Sequence, residues 1–121
     1  MDQLSEFENS FIELYESAEL LINSSKFKSA VILLSKALFA LADYILFREY
    51  GKIPKSHSDR FRALERKNPG IYTVIDKVWS KYIDTSSKPA AEQEIVMLKE
   101  SIKEVIMQDE KISKKIKEII G

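Results

Sequence analysis

The sequence predicts an all-α protein: a five-helix, up-and-down antiparallel bundle organised round a helix over about residues 26–49. Three observations predict it. Apolar residues recur at three- and four-residue spacings along most of the chain and nowhere alternate with period two. The stretch Lys26 to Glu49 is apolar on nearly every side, and a helix of that kind belongs in the middle of a bundle. Turn residues at Asn23-Ser24-Ser25, Gly51 to Pro54, Asn68-Pro69 and Thr85 to Pro89 cut the chain into segments of helical length.

The first helix spans residues 4–23, where Leu4, Phe7, Phe11, Leu14, Ala18 and Leu21 make one stripe that Tyr15 and Ile22 widen. The second is roughly 36 Å long at about 1.5 Å per residue. Its polar residues form a thin strip through Ser29, Lys36 and Asp43. Asp43 has little polar company there, so it is expected to pair, within the bundle or across a dimer contact. Gly51 ends this helix and Pro54 prevents an immediate restart. Ser56 caps a short third helix with Asp59 as its capping-box acid, and Phe61 and Leu64 point inward. Asn68-Pro69 opens a fourth helix with Ile71, Val74, Ile75, Val78, Trp79 and Tyr82 on one face. The fifth begins near Pro89 and carries Ile95, Leu98, Ile102 and Val105. The same period resumes at Ile112, Ile116 and Ile119, and neither glycine nor proline interrupts residues 90–120. One long helix is therefore expected, weak at 108–110, with an extension over about 109–120 that projects beyond the bundle.

The chain has 121 residues, 45% hydrophobic and 31% charged, which suits a single domain over residues 1–121 with its own core. It has no cysteine, which excludes disulfides, thiolate metal sites and cysteine nucleophiles. A single histidine without a cluster of acids predicts no metal site, and no cofactor is expected. The opening MDQLSEFENS lacks the basic and apolar regions of a secretory signal. Ser35, Lys36 and Asp43 interrupt the longest apolar run, so no membrane span is expected and the reading is cytoplasmic.

Formal net charge is zero, yet it is unevenly placed. Residues 1–25 hold six acids and no Lys or Arg. Residues 48–67 hold Arg48, Lys52, Lys55, Arg60, Arg62, Arg66 and Lys67 against three acids, a net of +4. Such a patch is either a phosphate or nucleic-acid footprint, or a complement to the acidic first helix in the same chain or a second copy. Within it lies His57, the one imidazole in the chain. It is either a general acid or base near neutral pH or a surface residue in the first turn of helix three. At helical spacing Tyr44, Tyr50, Trp79 and Tyr82 read as core before they read as base-stacking platforms. The apolar surface of helix two exceeds what the neighbours of a small bundle readily cover, which predicts a homodimer.

The order long helix, apolar helix, connector Gly51-x-x-Pro54-x-Ser56-His57, short helix and further helices resembles the HEPN (higher eukaryotes and prokaryotes nucleotide-binding) domain. Phe27, Ala30, Ala37, Leu38, Leu41, Gly51, Pro54, Ser56 and His57 carry the resemblance, which covers about residues 5–108. It implies a helical bundle that usually dimerises, and one of two roles. The first is a nucleotide-, RNA- or partner-binding module, paired in some members with a small nucleotidyltransferase. The second is a metal-independent endoribonuclease, the toxin of a toxin–antitoxin pair. Nuclease members resemble one another in an Arg, then four to six intervening residues, then the His. Here Arg48 stands eight intervening residues away, and Lys52 occupies the matching place. Asp59 stands where some members have Tyr. Under the nuclease reading His57 and Lys52 are catalytic, with Lys55, Arg60, Arg62 and Arg48 holding phosphates.

Overall fold

In the computed structural model residues 2–85 and 92–120 are described, the side chains of 83–85 excepted. Six α-helices account for these residues, and no strand occurs among them: α1 Gln3–Asn23, α2 Phe27–Tyr50, α3 His57–Lys67, α4 Pro69–Thr85, α5 Glu92–Gln108 and α6 Lys114–Ile119. The all-α expectation holds, with six helices where five were expected. The predicted start of helix five near Pro89 lies outside the described residues.

α1, α3 and α4 begin where the sequence supplies a side-chain acceptor for the unpaired N–H groups of a first turn, whereas α2 begins at Lys26 without one. Asp2 accepts from Ser5 N at 2.8 Å, Ser56 from Asp59 N at 3.1 Å, and Asn68 from Ile71 N at 3.2 Å. The Asp59 carboxylate takes Lys55 N, at 3.0 Å, one residue earlier than a capping box requires. Gly51 ends α2 with φ at 66°, a left-handed conformation in which a side chain would be strained.

α1 and α2 form an antiparallel hairpin joined over residues 24–26. α2 is the central helix: thirteen of its 24 residues are buried, against α1, α3, α4 and α5. By length and composition it is apolar enough to cross a membrane, contrary to the expectation from its interruptions, but 72% of its most apolar window is buried inside the protein. The neighbours of one chain cover most of it. Among the described residues the large apolar side chains that stay exposed are Leu20, Tyr50, Ile53, Val96 and Met107, and of these Tyr50 belongs to α2.

The second departure lies at the C-terminus. The helix expected to continue through residue 110 stops at Gln108. Lys111 N donates to Asp109 Oδ1 at 3.2 Å, an Asx turn, and Ser113 restarts the helix by accepting from Ile116 N. The chain reverses, so α6 packs on α1 with Ile112 and Ile116 buried, and does not project. Arg48 fastens the turn: its Nη1 and Nη2 donate to the Asp109 carboxylate at 2.6 and 2.8 Å. Removing the guanidinium leaves the Asp109 carboxylate with the Lys111 N–H but no counter-charge, and a hydrogen-bonded charge of this kind is worth roughly 2 kcal/mol. Urea unfolding should show that loss for Arg48→Ala, and Asp109→Ala on the same background should add little.

Candidate functional site

The charged residues of the 48–67 region separate into three groups. Arg48 is committed to Asp109 on the far side of α2 and takes no part in a cleft. Lys52 Nζ lies 3.2 Å from Asp59 Oδ1, and the two fix the connector ahead of α3. The backbone N–H of Lys55, with Lys52 beside it, holds the Asp59 carboxyl below its ordinary range. The Lys55 side chain is exposed, and so is that of Arg62, which has no hydrogen bond or ion pair among the described residues.

The third group is built. Arg60 sits one turn into α3 and reaches back to α2, where Nε and Nη2 donate to the two oxygens of Asp43 at 2.7 and 2.9 Å. Its remaining arm, Nη1, lies 2.6 Å from His57 Nδ1. The i, i+3 spacing of His57 and Arg60 puts both on the face of α3 turned to α2. The imidazole packs on Trp79 of α4, ring centroids 4.5 Å apart, and meets Phe39 of α2 edge-on at 5.2 Å. The Arg60 guanidinium also lies over the Phe39 ring, at 5.4 Å. Trp79 and Tyr82 stack at 5.6 Å, so they extend the aromatic wall and are only half-buried. Tyr44 is core, as expected, whereas Tyr50 is exposed and its hydroxyl donates to Lys67 O at 3.3 Å.

Phe39, Asp43, His57 and Arg60 line one side of an open cleft of about 330 Å³, which Phe7 and Ser10 of α1 and Lys36 and Ala40 of α2 complete. That is the low end of the size of small-ligand sites, roughly 300–1,000 Å³. Its charges are two cations, Lys36 and Arg60, against one anion, Asp43. Asp43 pairs inside the bundle, one of the two outcomes open from the sequence. Among the described residues no group of three or more His, Asp or Glu is placed to hold a metal.

Arginine only donates, so His57 Nδ1 is an acceptor and the neutral ring carries its proton on Nε2. Burial, and then Arg60 and Lys36, lower the His57 pKa below its ordinary value, with Asp43 opposing. The imidazole is thus less basic folded than unfolded. Stability from this group is present above the unfolded pKa of about 6.5 and is lost as pH falls through the lower folded value. In a thermal melt, the wild type should lose stability between neutral and mildly acid pH by more than His57→Gln does. Equal losses would refute the partly desolvated, Arg60-facing imidazole.

Sequence reasoning named His57, Arg60 and Asp43 separately, but paired His57 with Lys52. It passed over Lys36, Phe39 and Ser10 as lining groups. The signal available was the spacing His-x-x-Arg on one helix face, opposite an acid isolated on an apolar helix. Comparison with known protein families, characterised proteins and solved structures gives no match for this chain.

Proposed function

We propose that the protein is a HEPN-like binding module that takes a phosphate-bearing ligand, a nucleotide or the phosphate of an RNA, in the cleft at His57. The observation that carries this reading is the commitment of Arg60 to both Asp43 and His57. A ribonuclease base needs a free imidazole lone pair beside a cation on the scissile phosphate. Here Arg60 occupies the lone pair of Nδ1, Nε2 bears the proton, and Asp59 holds Lys52. What remains suits recognition: an N–H donor, the Lys36 ammonium, the Ser10 hydroxyl and an apolar wall at Phe7 and Phe39. Such a ligand implies a cytoplasmic site of action.

Trp79 is the single tryptophan and touches His57, so its fluorescence reports on the cleft. A 5′-mononucleotide or a short single-stranded RNA should change that emission saturably, and Lys36→Glu should weaken binding about tenfold or more. With EDTA present, RNA should remain intact. Cleavage that persists in EDTA and disappears in His57→Ala would replace this reading with the nuclease. Failure of both ligands to bind would remove it.

A further inference from the structure

The donors of Arg60 define how the cleft can accept an anion. Asp43 holds Nε and Nη2, and His57 holds Nη1. With a neutral imidazole the Arg60 N–H that faces His57 is spent on Nδ1, and the cleft offers an anion the His57 Nε2–H, the Lys36 ammonium, the Ser10 hydroxyl and the second N–H of Nη1 and of Nη2. Its net charge is +1, from Lys36 and Arg60 less Asp43. A tetrahedral dianion is under-matched in charge, and the position between Arg60 Nη1 and His57 Nδ1 has no donor to spare for it.

Protonation changes both. The imidazolium donates from Nδ1 as well as Nε2 and can no longer accept from Arg60. Two cations then face each other across the 2.6 Å that separated donor from acceptor. Arg60 cannot withdraw, because Asp43 grips it at two points from the buried side of the cleft. His57, exposed in the first turn of α3, can turn away only within the space left by Phe39 and Trp79. An oxyanion set between Arg60 Nη1 and the imidazolium removes the conflict, since each cation then donates to an oxygen. The charge facing the dianion becomes +2.

On this geometry we propose that the cleft binds a tetrahedral dianion of the phosphate-monoester class together with one proton, taken up by His57. This rests on the phosphate-binding reading and adds its regulation. Proton and anion are linked, so each tightens the other by the same factor. The charged groups facing His57 are Lys36 and Asp43 from α2 and Arg60 from its own helix. The facing groups of α1 and α4, Phe7, Ser10 and Trp79, do not titrate near neutral pH.

Sulfate is the suitable probe, a tetrahedral dianion that has no ionisation of its own near neutral pH. His57 is the only histidine, so its ring signals in an NMR titration of the full chain are unambiguous. Saturating sulfate should raise the His57 pKa by about one unit, equal to a tenfold linkage. Calorimetry in two buffers of different ionisation enthalpy, at a pH between the free and sulfate-bound His57 pKa values, should give an uptake of about half a proton per sulfate bound. Affinity should fall about tenfold in all as pH rises from below the free to above the sulfate-bound His57 pKa, and His57→Gln, whose amide oxygen can still accept from Arg60, should flatten that dependence. Sulfate that binds with no shift in the His57 pKa and no proton uptake overturns the coupling while leaving the anion site standing. Absence of both sulfate and nucleotide binding at every pH overturns the anion site and the coupling with it. The NMR and calorimetric readouts on wild type decide the matter even if the variant does not fold.

Discussion

Asp43→Ala should destabilise the protein by about 3–4 kcal/mol, the usual cost of removing one partner of a buried ion pair. Asp43 is 8% exposed, and its carboxylate receives two of the Arg60 donors. Without it, a guanidinium wedged between Phe39 and His57 has no counter-charge. Relief by swinging Arg60 into solvent would abandon its packing over Phe39 and its bond to His57. The replacement Asp43→Leu with Arg60→Met should recover most of the loss, because apolar residues of similar volume substitute well for a buried pair. Urea unfolding checks both. A loss below about 1 kcal/mol for Asp43→Ala would mean that the pair is solvated and gives the cleft no rigidity. The same double variant should bind neither nucleotide nor sulfate, which separates the stabilising role of the pair from its role in the cleft.

Ile116→Asp should cost about 3 kcal/mol and free the C-terminal helix. Ile116 is fully buried in α6, and Ile112 just before it is nearly so. A carboxylate cannot stay in that site, so the segment undocks. The cost is then capped by the docking free energy of α6, set by two isoleucines at roughly 1.5–3 kcal/mol each, less the ordering entropy recovered. A six-residue helix has no stability of its own, so it should melt when released. Amides of residues 114–120 should exchange at near unfolded rates in the variant, while those of α2 stay protected. If the melting temperature and these amides were unchanged, the chain would end in the projecting helix that periodicity suggests.

The sequence by itself determined the helices of the first 85 residues and the central place of α2. The reasons are local: Ser56, Asn68 and Gly51 satisfy or end helix termini wherever the fold puts them, and a helix apolar on most sides has to be surrounded. It also determined that Asp43 needs a partner, since desolvation of a lone carboxylate is costly in any bundle. Which partner was a tertiary matter. Arg60 and Lys52 both belong to one basic segment, and only the placement of α3 against α2 gave Arg60 to Asp43 and left Lys52 to Asp59. The break after Gln108 was decided in the same way. The apolar period runs on through Ile112 and Ile116, and the turn is made by Asp109 and Ser113, residues that a helix also tolerates. Asp109 turns the chain because Arg48, sixty-one residues earlier, lies where its carboxylate arrives. A side chain that serves equally as a helix surface residue or as a turn is read one way or the other by what it meets, and that meeting exists only once the helices are packed.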